Sequence, residues 1–137
     1  MLTKLEARAK LVKDFRIDVD DGRAHALCLD LQPLDGTDMG PSALELALMS
    51  FAGCYATIFA LTVKKMRISL KDLEVKLEAV KSEEVKTIIE VNADVMVKAD
   101  APKDRIQRAH ELTQEGCPVG ILFEKAGVKV KYDVRTG

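Results

Sequence analysis

The 137-residue chain has no tryptophan and only two tyrosines and four phenylalanines. Aromatic residues make up 4% of the sequence, which is too little for the base-stacking platforms of single-strand binding proteins. Basic residues are not in excess either, since 21 Lys and Arg oppose 22 Asp and Glu. Nucleic acids and anionic membrane surfaces both attract clustered positive charge. The composition therefore predicts neither nucleic acid nor a membrane as a partner.

Histidine is scarce as well, and the cysteines do not have the spacing of a metal site. His25 and His110 are the only histidines, and no C-x-x-C motif occurs. Structural zinc sites usually take four Cys or His ligands from closely spaced pairs. We therefore expect no metal and no other cofactor. Both histidines are interpreted as structural or exposed residues.

The N-terminus lacks the apolar core of a signal peptide, because charged residues interrupt it from Lys4 onward. We therefore expect a cytoplasmic protein, and in that reducing compartment cysteines are more often catalytic than disulfide-bonded. The chain has three of them: Cys28, Cys54 and Cys117. Cys28 shares a predicted strand face with two alanines and is interpreted as a small core residue.

One long segment carries no charge. It runs from Leu46 to Val63, 18 residues, which is the lower limit of transmembrane length. Its interior contains Ser50, Gly53 and other polar or small residues, which favours a core helix over a membrane span. A helix that is apolar on every side must be covered on every side. A single domain over residues 1–137 has little material for this, so we expect a homodimer that covers the helix.

The alternation of apolar and polar residues predicts an α+β fold. A period of two predicts strands over residues 5–11, 15–19, 23–29, 73–79, 89–97 and 128–134. Asp20-Asp21-Gly22 predicts a turn. One helix begins after Pro41, and a second has Pro102 as its first residue and ends at Gly116. This order of elements predicts largely antiparallel pairing.

The first helix begins with an S-x-x-E pattern, Ser42 to Glu45, which is typical of a capping box. The capping box explains Glu45 completely. Its functional alternative is to orient an arginine beside Cys54, with Arg16 and Arg23 as candidates. Glu45 precedes Cys54 by nine residues, or ~900° on a straight helix, which puts the two on opposite faces. A direct link between them would need a break in the helix.

The surroundings of Cys54 and Cys117 both permit redox chemistry. Buried free cysteine is a common core residue, which is the simplest interpretation of Cys54. If Gly53 breaks the helix, Cys54 begins a new one, whose free N–H groups stabilise a thiolate. Cys117 lies between Gly116 and Pro118, which predicts an N-cap position, where the pKa of a thiol is lowered. A plain capping role is the alternative for Cys117.

Together these residues resemble the OsmC/Ohr family, named after osmotically inducible protein C and organic hydroperoxide resistance protein. The resemblance lies in Gly40–Leu46, Ala52–Cys54, Lys64–Arg67, Arg108–Leu112 and Gly116–Val119. The amino-acid sequences of the first and third segments are most similar to those of the YhfA-like branch. The resemblance implies an OsmC-like α+β domain over residues 1–137, in an intertwined homodimer with its long helices at the centre.

The resemblance also implies a thiol-dependent peroxidase that reduces organic hydroperoxides and is recycled by an external dithiol. Cys54 matches the peroxidatic cysteine of the family, and Cys117 matches the resolving cysteine. Glu45 matches the family's glutamate, and the arginine of the first hairpin corresponds to Arg16 or Arg23. Two alternatives stay open: a non-enzymatic dimeric binding protein for a small apolar or acyl ligand, and a redox sensor.

Overall fold

The structure is a computed structural model that describes all of residues 1–137, in two compact units, Met1–Ala47 and Leu48–Gly137. The first unit holds an antiparallel sheet in the order β1 (Arg8–Lys13), β2 (Arg16–Asp20) and β3 (Ala26–Leu29). Gly22 follows β2 with a φ of 76°, a conformation that glycine adopts without strain. The turn predicted here is confirmed.

The second unit is built on a long helix and a three-stranded sheet. The helix α1 (Ala43–Lys65) begins at the end of the first unit and is followed by β4 (Leu70–Ser82), β5 (Thr87–Ala99), α2 (Lys103–Gly116), α3 (Pro118–Lys125) and β6 (Lys129–Thr136). Alternate residues of β5 from Val91 to Val97 form the core of this unit and are at most 3% exposed. The predicted α+β class is confirmed, whereas the single domain over residues 1–137 stays a prediction.

The pairing is largely antiparallel, as predicted, and β6 is the exception. β4 and β5 pair antiparallel, but β5 and β6 pair parallel, from Glu90 opposite Lys129 to Val97 opposite Thr136. Parallel neighbours need a long crossover connection, and α2 and α3 supply it. A period of two indicates which residues face the core but carries no information on the direction of the neighbouring strand.

α1 is one continuous helix, so the break considered at Gly53 does not occur. A Cβ atom at Gly53 would meet no heavy atom within 4 Å, and the carbonyl of Gly53 accepts a hydrogen bond from Thr57 Oγ1 at 2.8 Å. Glycine costs about 1 kcal/mol relative to alanine in a helix interior. That cost is too small to end a 23-residue helix that also packs against a core.

A buried carboxylate organises the loop between β3 and α1. Asp30 is 3% exposed and accepts hydrogen bonds from the N–H groups of Leu31, Thr37 and Met39 and from the Thr37 hydroxyl, at 2.7 to 3.3 Å. Burial by itself would raise the pKa of Asp30. The hydrogen bonds to its charged form have the larger effect, so the pKa lies below its usual value.

We expect Asp30→Asn to weaken the pH dependence of folding in acid. Because the folded-state pKa is depressed, Asp30 stabilises the fold above about pH 4, the ordinary pKa of aspartate, and this stabilisation is lost as the pH falls through the folded-state value. Urea unfolding at about pH 7 and about pH 3 measures the effect. The midpoint of the wild type should fall further between the two conditions than that of the variant. An equal fall would contradict the assignment.

Candidate active site

Two cysteines that are 63 positions apart in the sequence meet in the second unit. Cys54 lies in the middle of α1, and Cys117 lies in the junction between α2 and α3. The thiol of Cys117 donates to the sulfur of Cys54 across 3.2 Å. A disulfide needs ~2.05 Å, so the two sulfurs would have to approach by about 1.2 Å to bond. Cys28 has a local partner instead, the carbonyl of Leu29 at 3.6 Å.

Cys117 lies where two helices meet. Cys117 is the C-cap of α2 and the N-cap of α3, and Pro118 follows as the first residue of α3, which confirms the N-cap prediction. Gly116, which was predicted to lie just beyond the end of α2 as its C′ residue, is instead the last helical residue. Pro102 is likewise the N-cap of α2 and not its first residue, because its ψ of 158° is extended.

A glycine makes room for the Cys117 thiol. The N–H of Gly120 donates to Cys117 Sγ at 3.4 Å. A Cβ atom at this position would lie 3.2 Å from a ring carbon of Phe51 and 3.4 Å from the Cys117 sulfur. The absence of a side chain at Gly120 therefore lets the start of α3, the Phe51 ring and the thiol pack together. Cys117 is only 1% exposed as a result.

The pKa of Cys117 shifts in the direction opposite to the prediction. Burial raises the pKa of this thiol to about 11, and its hydrogen bond to Cys54 also raises it, whereas the Gly120 N–H lowers it. The prediction of a lowered pKa is wrong because the desolvation of a buried thiolate outweighs one capping N–H donor. Cys117 is therefore a protonated thiol at neutral pH, which suits its role as hydrogen-bond donor.

Cys54 does not begin a helix, so the dipole argument made for it does not apply. α1 continues through Gly53, and the backbone around Cys54 is engaged within the helix. The Cys117 thiol instead supplies a hydrogen-bond donor directed at the Cys54 sulfur. Cys54 is half-buried, and Cys117 is buried. The pair thus consists of a half-buried cysteine whose sulfur accepts and a buried cysteine whose thiol donates.

A buried polar cluster in the same unit was missed from the sequence. The hydroxyl of Tyr55 lies 2.6 Å from Nδ1 of His110, and these residues are 1% and 6% exposed. The ring of Tyr132 lies 5.7 Å from that of Tyr55 and 5.0 Å from that of His110. His110 is thus structural and not exposed. Its burial could have been read from helical spacing, since the buried residues of α2 are Ile106, Ala109, His110 and Thr113.

Burial controls the protonation of this cluster. It lowers the pKa of His110, so the imidazole is neutral at physiological pH. It raises the pKa of Tyr55 and of Tyr132, and a charge on Cys117 would raise both further. The two hydroxyls are therefore protonated and lie close enough to Cys117 to interact with it electrostatically. No group of three or more Cys, His, Asp or Glu side chains in the chain could hold a metal ion.

Glu45, Arg16 and Arg23 all lie in the first unit. The Ser42 N–H donates to a carboxylate oxygen of Glu45 at 2.9 Å, and the Glu45 N–H donates to Ser42 Oγ at 3.1 Å, so the capping box is confirmed. Arg16 is half-buried at the start of β2, and Arg23 pairs with Asp21 at 3.4 Å. Neither arginine bonds to Glu45, and the catalytic roles of all three stay predictions.

Residues 36–133 match the family model described as OsmC-like protein. The chain belongs to the OsmC-like protein family. Protein YhfA of Escherichia coli (strain K12) is 30% identical over 134 residues, which cover 95% of this OsmC-like chain and 98% of YhfA. The predicted family and its YhfA-like branch are thereby confirmed.

Solved structures extend the comparison to the fold. An OsmC like protein from Mycoplasma pneumoniae has a TM-score of 0.90 at 18% identity and covers 99% of both chains. The organic hydroperoxide resistance protein OhrB of Bacillus subtilis has a TM-score of 0.66 at 18% identity, with 98% of this chain and 100% of that chain covered. At such identities the likeness concerns the fold alone, and the predicted OsmC-like fold is confirmed.

Proposed function

We propose that this OsmC-like protein is a cytoplasmic, thiol-dependent peroxidase that reduces organic hydroperoxides. The proposal depends chiefly on the 3.2 Å contact between the Cys117 thiol and the Cys54 sulfur. A two-cysteine redox cycle needs one sulfur that substrate can reach and a second that is protected until it is needed. Half-buried Cys54 and buried Cys117 meet these requirements. The shared fold with a protein named for organic hydroperoxide resistance supports this class of substrate.

The first step oxidises Cys54 by two electrons. Its thiolate attacks the distal oxygen of the hydroperoxide, an S–O bond forms, and the O–O bond breaks. The alkoxide leaves and takes up a proton to become the alcohol. Cys54 is then a sulfenic acid.

The second step uses Cys117. Its thiol condenses with the sulfenic acid, so that an S–S bond forms, the S–O bond breaks, and water leaves with the Cys117 proton. An external dithiol then reduces this Cys54–Cys117 disulfide by exchange and is itself oxidised to a disulfide. The proton that Cys117 retains at neutral pH is thus consumed in making the leaving water.

We propose Arg16 over Arg23 as the arginine that stabilises developing charge in the reaction. The side chain of Arg23 is 76% exposed and already paired with Asp21. Arg16 is half-buried and pairs with no carboxylate of its own chain, which makes it the better candidate of the two. Only one carboxylate oxygen of Glu45 is engaged by Ser42. The other oxygen is available to orient an arginine.

The homodimer is part of the same proposal. By length and composition α1 could cross a membrane, but the core helices of soluble proteins pass the same test, and 22% of its most apolar window is buried in the single chain. Met49 and Leu61 of α1 are 52% and 50% exposed. A second copy presents the same uncovered helix, so an intertwined pair would bury both. Large exposed apolar surfaces usually mark such interfaces.

Peroxide consumption in the presence of a dithiol tests the proposed activity. The Phe51 ring packs beside Cys117 at Gly120 and lies 4.9 Å from the Phe123 ring, so the surroundings of the buried thiol are partly apolar. Each buried CH₂ group contributes about 0.8 kcal/mol, so we expect kcat/KM for tert-butyl or cumene hydroperoxide to exceed that for hydrogen peroxide at least about tenfold. The dithiol alone provides the background rate. A wild-type rate equal to that background would favour the non-enzymatic binding protein, and equal rates with all peroxides would contradict the apolar site.

A further inference from the structure

A buried hydrogen bond joins the two helices that bring the cysteines together. Tyr55 directly follows Cys54 on α1, and its hydroxyl lies 2.6 Å from Nδ1 of His110 on α2. α2 ends at its C-cap, Cys117, seven residues beyond His110. The peroxidase cycle proposed above uses neither Tyr55 nor His110. Their contact therefore needs a separate explanation.

The bond is one between two neutral groups that water does not reach. Burial keeps the His110 imidazole neutral and the Tyr55 hydroxyl protonated. With the ring proton on Nε2, the hydroxyl donates to Nδ1. Tyr55 is 1% exposed and His110 is 6% exposed. If their hydrogen bond breaks, little water can reach either group to form a new one. The bond is therefore costly to break, and it resists separation of α1 from α2.

The hydrogen bond lies about two helical turns from Cys117 along α2, so a small rotation of α2 about His110 would displace the thiol. Seven residues of helix correspond to ~700°, which is two turns less ~20°, and to ~10 Å along the axis. α2 thus contacts α1 through His110 and, about two turns later, through Cys117 at its end. Loss of the His110 contact would weaken the constraint on the angle of α2, which the buried residues Ile106, Ala109 and Thr113 also help to hold. At a lever of ~10 Å, a rotation of only ~5° moves the end of α2 by ~0.9 Å.

We propose that Tyr55 and His110 are positioning residues for the thiol pair. Their hydrogen bond holds α2 in the orientation that keeps Cys117 Sγ within 3.2 Å of Cys54 Sγ. Neither side chain reacts. The proposal rests on the proposed function for its biological meaning, since it concerns formation of the Cys54–Cys117 disulfide. The geometry itself can be tested without any peroxide.

The first test measures the thiol–disulfide equilibrium of the full-length protein in glutathione redox buffers, with peptide mapping to separate the Cys54–Cys117 bridge from disulfides of Cys28. Tyr55→Phe removes one hydroxyl and keeps the ring, and His110→Ala removes the acceptor. We expect each to lower the equilibrium constant for the Cys54–Cys117 bridge about tenfold, the effect of one buried hydrogen bond. The double variant should lose no more than either single variant, because both changes break the same bond.

Two further variants separate positioning from a general loss of stability. His110→Asn places an amide near the former Nδ1 position and should recover much of the loss seen in His110→Ala. Thr113→Val removes a buried hydrogen bond of 2.7 Å from Thr113 Oγ1 to the Ala109 carbonyl, which lies wholly within α2. It should lower the melting temperature and leave the thiol equilibrium unchanged. A shift in Thr113→Val equal to that in Tyr55→Phe, or no shift in Tyr55→Phe, would overturn the proposal.

Single-turnover kinetics with cumene hydroperoxide connect the geometry to the cycle. We expect Tyr55→Phe to oxidise Cys54 within about twofold of the wild-type rate and to form the disulfide about tenfold more slowly. A wild type that consumes no peroxide, while Tyr55→Phe still shifts the glutathione equilibrium, would refute the proposed function and leave the positioning role intact. A wild type that turns over, with Tyr55→Phe identical to it in both assays, would refute only the positioning role.

Discussion

Cys54→Ser is expected to abolish the consumption of organic hydroperoxide, and Cys117→Ser is expected to allow one rapid turnover and then to lose efficient cycling. The first variant removes the sulfur that receives the hydrogen bond and is the more accessible of the pair. Serine is a far weaker nucleophile than a thiolate, so the rate should fall to the background. The second variant keeps the attacking sulfur and loses only the partner for condensation.

Trapping experiments make the difference between these two variants measurable. Cys117→Ser should consume one equivalent of hydroperoxide and accumulate a sulfenic acid on Cys54 that a dimedone reagent labels. Its sustained rate with a dithiol should fall by on the order of 100-fold, since no Cys54–Cys117 disulfide can form and the dithiol must condense with the sulfenic acid directly. Cys28→Ser is the matched control and should retain wild-type activity, because that thiol bonds only to the nearby Leu29 carbonyl.

Three outcomes would contradict this scheme. Activity that survives in Cys54→Ser would show that another group attacks the peroxide. A disulfide that includes Cys28, or none at all after mild oxidation of the wild type, would refute the resolving role of Cys117. Each substitution exchanges sulfur for oxygen with little change in volume, so circular dichroism should find all three variants folded.

The second large effect concerns assembly. We expect the wild type to sediment as a dimer of two 15.1 kDa chains at micromolar concentration. Leu61→Glu should dissociate or unfold it, because Leu61 is a half-exposed apolar residue of α1 that the proposed interface would bury. An uncompensated carboxylate in an apolar interface costs several kcal/mol, which is at least about a 1,000-fold loss of affinity.

A charge change at the end of the same helix controls for electrostatics alone. Lys64→Glu alters a residue that is already charged and exposed in the last turn of α1. It should leave the sedimentation coefficient unchanged, since it would place no new charge in apolar surroundings. A wild type that sediments as a folded monomer at micromolar concentration would refute the homodimer.

Local patterns in the sequence were sufficient to predict much of the fold. The alternation from Ile89 to Val97 predicted β5, and the S-x-x-E pattern at Ser42 predicted the start of α1. Pro118 predicted that Cys117 is an N-cap. In each case a few neighbouring residues determine the outcome, so no knowledge of distant parts of the chain was needed.

Features that depend on distant residues could not be predicted in this way. The parallel direction of β6 depends on the crossover through α2 and α3. The raised pKa of Cys117 depends on burial by the surrounding fold, which a rule about N-caps does not include. The contact between Cys54 and Cys117 was expected only through the family resemblance. The burial of His110 was not predicted, because its neighbours in the sequence are polar, although it shares a helix face with other buried residues of α2.

The sequence separation of the two cysteines also has a consequence during synthesis. Cys54 is translated 63 residues before its partner. At ~5–20 residues per second this interval lasts ~3–13 s. Once Lys65 has been added, the nascent chain carries the whole of the apolar helix α1 and an unpaired thiol, while Cys117 and the strand β6 do not yet exist. The incomplete nascent chain is therefore more open to aggregation and to oxidation than the finished chain.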